Sequence, residues 1–313
     1  MSDKQKNKAV HRTSIGGQAV IEGVMMRNPM GKTAMAVRQQ SKEIVLEEWN
    51  AEAPTAWYKK TPFIRGVFNF IDMIRLGYSC LMKSAELSGM EDEPDPFEEK
   101  MKDKLGKHYD TLFQGTVILF SLILVMGMFV FLPTFTVSFI KPYVSSDLAL
   151  TAIEGCVKMV IFLLYLWAIS QMGDIKRTFK YHGAEHKTIA CYEHDMELTV
   201  ENVRKYTRFH PRCGTSFLII VMIISILIFS FISWGNIFIR MGLKILLLPV
   251  VMGITYEIIK FAGRHDNLFT RIISAPGLWT QRLTTKEPDD EMLEVAIAAM
   301  KAVIPKDNSK VEW

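Results

Sequence analysis

The pattern of apolar and polar positions divides the chain near residue 111. Four apolar runs follow that point, and each approaches the roughly 20 residues that an α-helix needs to cross the hydrocarbon core of a bilayer. They cover residues 112–140, 148–170, 215–234 and 241–262. The first and third runs carry almost no charge. We therefore predict about four transmembrane helices.

Ionisable residues inside these runs are candidates for function, because burying a charge in a membrane is costly. Glu154 and Lys158 lie one helical turn apart in the second run, and Glu257 lies near the end of the fourth. Glu154 and Lys158 form either an ion pair inside the helix bundle or a functional polar site. Glu257 either accepts a hydrogen bond from a loop or serves the chemistry described below.

Before the apolar runs, shorter patterns indicate strands and amphipathic helices. Runs rich in β-forming residues at 19–26, 33–38 and 44–49 are separated by turn formers, which predicts an antiparallel meander of about three strands. Apolar residues at helical spacing over 63–88, interrupted by charges, predict an interfacial helix. A second amphipathic helix is predicted over 289–303, and its apolar face must pack against something.

Lys and Arg residues collect in only some of the segments between the apolar runs. Residues 1–110 contain seventeen of them, 173–213 contain eight and 263–313 contain seven. The other two connections carry only Lys141 and Arg240, with Lys244 just inside the fourth run. Because cytoplasmic flanks are enriched in Lys and Arg, we predict that both termini and the 173–213 loop are cytoplasmic.

Composition agrees with this division. The 313 residues are 49% hydrophobic and 22% charged, and the mean hydropathy of +0.15 indicates that apolar spans and charged flanks are segregated. A net charge of +4 is too small to suggest nucleic-acid binding. The polar N-terminus is not a secretory signal peptide. The cysteines show no paired spacing, which favours a reducing compartment: Cys80, Cys156, Cys191 and Cys213.

The predicted fold class is therefore an α-helical membrane protein with a small N-terminal cytoplasmic β-meander and amphipathic helices. We expect a disordered basic tail at 1–14, and a β-element, interfacial helix and charged linker at 15–110. The four-helix membrane domain spans 111–262, and a cytoplasmic C-terminal segment spans 263–313. Within that last segment Pro276-Gly277 predicts a turn.

The cytoplasmic loop contains the strongest chemical pattern, a His-x-x-Glu-His sequence formed by His182, Glu185 and His186. Histidines at positions i and i+4 lie on one face of a helix, so both imidazoles can reach one metal ion. Glu185 projects to the same side and can act as a general base toward water. This spacing is that of the inverted zincin motif.

A second cluster, His210-Pro211-Arg212-Cys213, precedes the third apolar run, and His-x-x-Cys is a metal-binding spacing. Three interpretations remain open. His210 and Cys213 complete a closed structural zinc site with the two loop histidines, or the site is open and catalytic, with Glu185 as base and Glu257 or His210 as third ligand. Alternatively, the loop histidines bind backbone or lipid head groups and no metal.

Gly16-Gly17-Gln18 resembles the tripeptide of peptide release factors, but without further context we interpret it as a tight turn that opens the first strand. The chain contains no phosphate-binding Gly-x-x-x-x-Gly-Lys-Ser/Thr motif, no dinucleotide fingerprint and no Gly-x-Ser-x-Gly elbow.

Several of these stretches together resemble the YqhQ-like bacterial membrane proteins, a family of unknown function sometimes labelled as predicted metal-dependent enzymes. The resemblance runs from about residue 15 to 300. It rests on five stretches: 16–26, 181–187, 197–203, 210–215 and 276–285. It implies a bacterial cytoplasmic-membrane protein and supplies no substrate.

Two functional hypotheses of similar weight follow. The first is a metal-binding membrane protein, and its more specific form is a metal-dependent hydrolase that acts at the cytoplasmic leaflet. The second is a non-catalytic scaffold or assembly factor for membrane proteins, which would use the apolar faces of residues 63–81 and 292–303 to bind a partner. A transporter ranks third and rests only on Glu154 and Lys158. The bilayer is the expected partner in each case, and the sequence does not indicate an oligomeric state.

Overall fold

The structure is a computed structural model that describes residues 12–50, 57–89, 109–211, 213–265 and 267–305. Most of the predicted basic tail and the charged linker at 90–107 lie outside the described residues. The described chain is mostly helical and begins with one antiparallel sheet.

The sheet has four strands, β1 (Gly16–Val20), β2 (Gly23–Arg27), β3 (Lys32–Arg38) and β4 (Ile44–Asn50), which pair in chain order. The prediction of three strands was wrong because the apolar run 19–26 contains a turn. Val20 pairs with Gly23, so Ile21 and Glu22 form a two-residue connection. Glu22 has φ 52, a left-handed conformation that is uncommon for a residue with a side chain.

Both faces of the central strands are buried, and this explains why they lack polar alternation. Val24, Met26, Ala34 and Ala36 belong to a core on one face. The alternate residues form a second core on the other face, because successive strand side chains point in opposite directions. That second core contains Val20, Met25, Met35, Val37 and Cys80.

Ten helices lie in the described part of the chain. Their bounds are α1 (Ile64–Ser88), α2 (Tyr109–Met126), α3 (Leu132–Ser138), α4 (Asp147–Ile169), α5 (Gly173–Glu193), α6 (Val200–Arg204), α7 (Gly214–Phe229), α8 (Ile237–Arg264), α9 (Leu268–Thr284) and α10 (Asp290–Val303). A π-helical segment, Gly127–Phe131, joins α2 to α3.

The predicted amphipathic helix over 289–303 is α10, and its apolar face packs inside the protein. It contacts β2, β3, α5 and α6. Met292, Val295, Ala296, Ala299 and Met300 are each at most 1% exposed. Helix α1 covers the opposite side, against β1 and β3. The sheet is therefore enclosed between helices, and α10 offers no free apolar face to a partner.

Three helical stretches are long and apolar enough to cross a membrane, among the residues that the structure describes: Gly115–Ser138, Asp147–Ile169 and Ile237–Ala262. The third predicted span corresponds to α7, which has only 16 residues. At 1.5 Å per residue it is about 24 Å long, shorter than a hydrocarbon core of about 30 Å. The helix ends before Ser230, and in the segment that follows Ser230, Ser233 and Gly235 interrupt the apolar run.

The chain forms two compact units. Unit 1 comprises residues 1–90, 166–221 and 249–313 and contains the sheet with α1, α5, α6, α9 and α10. Unit 2 comprises residues 91–165 and 222–248, and those of its residues that the structure describes are mostly apolar helix.

Candidate metal centre

Helix α5 in unit 1 presents the predicted histidine pair on one side. His182 and His186 lie one turn apart with ring centroids 4.4 Å from each other. Cys213, just before the first residue of α7, joins them. One ligand atom from each of these three residues lies within 4.8 Å of the other two. The structure therefore brings together two candidates from the first cluster and one from the second.

The orientation of both imidazoles is fixed by backbone carbonyl groups. Nδ1 of His182 lies 2.9 Å from the carbonyl oxygen of Thr284, and Nδ1 of His186 lies 2.6 Å from that of Arg208. A carbonyl oxygen only accepts, so each Nδ1 carries the proton and donates it. Each Nε2 is then left as the ligand atom, an arrangement that is usual for metal-binding histidines.

Cys213 completes the group, and its surroundings favour the thiolate. Its Sγ lies 3.2 Å from Nε2 of His182. Burial raises the pKa of the thiol, but His182 and His186 outweigh burial and hold that pKa well below its usual value. Burial lowers the pKa of His182 in turn, yet Cys213 and Glu185 raise it to about 9. The site therefore stabilises the deprotonated sulfur that metal coordination requires.

Glu185 lies beside the three ligands and is 5% exposed. Its Oε2 is 3.9 Å from Nε2 of His182 and 3.8 Å from Nε2 of His186. Burial raises the pKa of this carboxyl group. Glu185 can therefore hold or accept a proton next to the ligand group.

The first strand reaches this site through Gly17. The backbone N–H of Gly17 hydrogen-bonds to the Glu185 carboxyl group. A Cβ atom at Gly17 would lie 2.9 Å from Cγ of Glu185 and 2.7 Å from the carbonyl oxygen of Met25. The interpretation of Gly16-Gly17 as a tight turn was wrong, since both residues lie within β1. In the sequence, only the glycine pair hinted that another group comes close to the backbone here.

Two other predicted ligands have different partners. The Nε2 of His210 lies 3.6 Å from Glu193, and the His210 backbone is held by Gln281, which accepts from its N–H at 2.8 Å and donates to its carbonyl at 2.7 Å. Glu257 accepts hydrogen bonds from Nε of Arg65 at 2.7 Å and from the backbone of Phe63 at 3.2 Å. Neither belongs to the three-ligand group found among the described residues.

Helix α9 connects the two halves of the site. Its C-terminal residue Thr284 supplies the carbonyl group that orients His182. Gly277 of the same helix approaches α7 so closely that a Cβ atom there would lie 2.3 Å from Oγ of Ser216. The predicted turn at Pro276-Gly277 was wrong, because both residues lie inside α9. This close approach holds Cys213 near the carbonyl group that fixes His182.

The predicted polar residues of the second apolar run lie in unit 2. Glu154 pairs with Arg240 and Lys244 of α8 rather than with Lys158. The Lys158 ammonium lies over the ring of Phe229, 5.4 Å from its centroid. Arg240, which the sequence predicts to lie in a connection between spans, is in the first turn of α8 and is 1% exposed.

Comparisons with known proteins agree with the resemblance seen in the sequence. Residues 61–306 match a family model described as a protein of unknown function (DUF1385). The chain is also 34% identical over 297 residues to the uncharacterized protein YqhQ of Bacillus subtilis (strain 168), and the match covers 92% of each chain. No solved structure matches the chain. The predicted membership in the YqhQ-like family is confirmed.

Proposed function

We propose a function from the site itself, because the chain belongs to the DUF1385 family, whose function is unknown. The protein is a multi-pass membrane protein that binds a metal ion through His182, His186 and Cys213 and uses it in hydrolysis. The observation that supports this proposal is the convergence of the three ligand atoms within 4.8 Å, with both imidazoles already oriented.

The ligand set suits zinc. Imidazole nitrogen and thiolate sulfur both bind zinc, and in catalytic zinc sites three protein ligands leave the fourth position open. Ligand atoms at about 2.0–2.3 Å from one ion lie within about 4 Å of one another. If the three ligand atoms moved together by about 1 Å, their separations would therefore match those around one ion. The same ligands also suit copper, so metal analysis must identify the element.

Glu185 is the residue that distinguishes a hydrolytic site from a structural one. A zinc ion held by these ligands would act as a Lewis acid toward a carbonyl or phosphoryl group. Glu185 supplies a buried carboxylate within 4 Å of both imidazoles, and the Gly17 N–H holds it in place. We assign Glu185 the role of general base. The closed alternative would require His210 to leave Glu193 and become the fourth ligand.

We propose that this centre faces the cytoplasm. The three long apolar helices support insertion in a membrane, and the Lys and Arg distribution supports cytoplasmic termini and a cytoplasmic 173–213 loop. Helix α1 supports an interfacial position because its buried residues are small, whereas its exposed residues are large and apolar. The buried residues are Gly66, Gly77, Cys80, Ser84 and Ser88; the exposed ones include Ile64, Phe68, Ile71, Ile74 and Tyr78.

The exposed face of α1 also favours the second candidate, a scaffold or assembly factor for membrane proteins. The other surface cited for that role, residues 292–303, is buried in the protein's own core. Only α1 still supports the hypothesis. Chemical crosslinking in native membranes tests it, since a scaffold would give a stoichiometric protein partner at α1, whereas an interfacial helix would give lipid crosslinks.

The metal centre is tested by elemental analysis of the purified protein. We expect one metal ion per chain in the wild type, and loss of the ion in His182→Ala, His186→Ala and Cys213→Ser. Glu185→Gln should retain it. The control is His265→Ala, because His265 is exposed and its ring stacks on Phe261. Equal metal content in His182→Ala and His265→Ala would refute the site.

A further inference from the structure

A second polar cluster lies among the apolar helices of unit 2. Glu154 of α4 lies 3.1 Å from the guanidinium group of Arg240 and also bonds the ammonium of Lys244. It accepts a hydrogen bond of 2.6 Å from the hydroxyl of Thr134 in α3. None of these four residues is more than 3% exposed. Three helices therefore contribute to one buried ionic group.

Lys158 adds a third cation that has no carboxylate of its own. It lies one turn after Glu154, is 9% exposed, and places its ammonium over Phe229. Within the described part of the chain, the ion pairs of Glu154 are with Arg240 and Lys244. Lys244 also lies near the Phe229 ring, 5.8 Å from its centroid. Both ammonium groups therefore approach the same aromatic ring.

The guanidinium group of Arg240 is incompletely satisfied. It lies 4.1 Å from the centroid of the Trp234 ring, and its Nη2 donates to Thr151 at 3.0 Å. Its Nε is buried and has no hydrogen-bond partner among the described residues. A buried donor of this kind costs free energy unless a ligand or water accepts from it.

The charges in the cluster do not balance. Arg240, Lys244 and Lys158 supply three positive charges, and Glu154 supplies one negative charge, which leaves an excess of two. Asp147 lies two turns before Glu154 and accepts from the backbone N–H of Trp234 at 3.2 Å. Unpaired charge is costly in an apolar interior, and an anion bound beside these cations offsets that cost.

We propose that Arg240, Lys244 and Lys158 bind a phosphate group. The unpartnered Nε–H of Arg240 and the two ammonium groups are cationic donors, and the oxygens of a phosphate accept several such charge-assisted hydrogen bonds. The source is either a phospholipid head group or a free phosphate ion. This inference is independent of the proposed metal centre, because it uses residues of unit 2 only.

The depth of two of the cations, Arg240 and Lys244, agrees with a phosphate near the membrane boundary. Arg240 and Lys244 lie about 4.5 and 10.5 Å along α8 from its first residue. The apolar stretch Ile237–Ala262 has 26 residues, and at about 39 Å it exceeds a hydrocarbon core of about 30 Å. These two side chains therefore lie toward the end of the helix that is nearer to the lipid phosphates.

The test compares anion binding by detergent-purified full-length protein and matched lysine variants. Native mass spectrometry measures retained phosphatidylglycerol, and calorimetry measures binding of inorganic phosphate. Lys158→Met should weaken binding by about tenfold or more, the effect of losing one charged hydrogen bond. Lys141→Met is the control, because Lys141 is exposed and lies in the connection just before the helix that carries Lys158.

Loss of phosphatidylglycerol binding in Lys158→Met, but not in Lys141→Met, supports a lipid phosphate. The same pattern with inorganic phosphate alone supports a free ion. Equal binding by both variants, or no binding of either probe by the wild type, overturns the proposal. If Lys158→Met does not fold, the proposal is tested on the wild type by chemical acetylation of its lysine amines. Either probe should then protect Lys158 from amine acetylation, and unchanged acetylation overturns the proposal.

Discussion

Gly17 shows how tightly a single position constrains the site, because its backbone touches the carboxylate assigned as general base. In Gly17→Ala the new methyl group would meet Glu185 and the Met25 carbonyl group at less than 3 Å. We expect a loss of about 1–3 kcal/mol in the free energy of unfolding, as is typical of overpacking. Chemical denaturation of the purified protein measures it.

Gly16→Ala provides the matched control for this prediction. A Cβ atom at Gly16 would have no neighbour within 4 Å, so its unfolding free energy should change by less than about 0.5 kcal/mol. If the two alanine variants unfolded at the same denaturant concentration, Gly17 would not be in close contact with Glu185.

The thiolate of Cys213 gives a prediction about pH. A thiol whose pKa is lowered loses its proton at lower pH, so metal-free protein should form this thiolate well before Cys191, whose pKa burial raises to about 11. His182→Ala removes the imidazole that lies 3.2 Å away. The thiolate transition should then move up by about one pH unit or more. Ultraviolet absorption in a Cys156→Ser background follows it.

The comparison variant for the thiolate measurement is His265→Ala, which should leave the transition where it is. An unchanged transition in His182→Ala would show that the imidazole does not stabilise the Cys213 thiolate. Both variants are measured after removal of metal, so that coordination does not deprotonate the sulfur.

Part of the site was predictable because part of it is local in sequence. His182, Glu185 and His186 lie on one helix, and their spacing alone determines that they share a side. The carbonyl groups of Thr284 and Arg208 come from 102 and 22 residues away. No sequence spacing connects these carbonyl groups to a histidine, and none connects Gly17 to Glu185. His210 lies outside the three-residue group because His-x-x-Cys brings the residue near Cys213 without determining where its ring points.

The packing of helix α10 on the sheet predicts how much stability its buried side chains contribute. Met300 is fully buried against the sheet and α5, so Met300→Ala should cost about 2–5 kcal/mol of unfolding free energy. Lys301→Ala changes the next residue, which is exposed, and should have an effect within about 0.5 kcal/mol. Denaturant titration of both proteins measures this difference.

Similar unfolding curves for Met300→Ala and Lys301→Ala would mean that α10 does not pack on the sheet. The apolar face of the helix would then again be available to a partner, and the scaffold hypothesis would regain its second surface.

Helices and strands were predicted where periodicity persisted, and the errors lie at their ends. The run 19–26 is apolar throughout, so nothing in its pattern marks the turn at Ile21 and Glu22. Lys158 is one turn from Glu154, but the Glu154 carboxylate pairs with Arg240 and Lys244, which are 86 and 90 residues away. Those partners depend on how helices pack, which hydrophobic periodicity does not specify.

For the whole molecule, the proposed topology predicts which surface is reached from outside the cell. Lys141→Cys lies in the connection between the first two long apolar helices and should react with a membrane-impermeant maleimide in intact cells. Lys176→Cys, at the beginning of α5, should react only after the cells are permeabilised. The wild type measures background labelling of the native cysteines. The reverse pattern would contradict the proposed orientation.

The enclosure of the sheet by α10 has a consequence for biosynthesis. The strands are made first, at Gly16–Asn50, whereas the helix that covers one of their apolar faces, Asp290–Val303, is made only after the apolar helices. The ribosome must therefore complete every apolar helix before the sheet can bury that face. During this time the nascent strands expose Val24, Met26, Ala34 and Ala36. Apolar surface that stays exposed during synthesis favours aggregation, and this chain carries that risk until α10 covers the sheet.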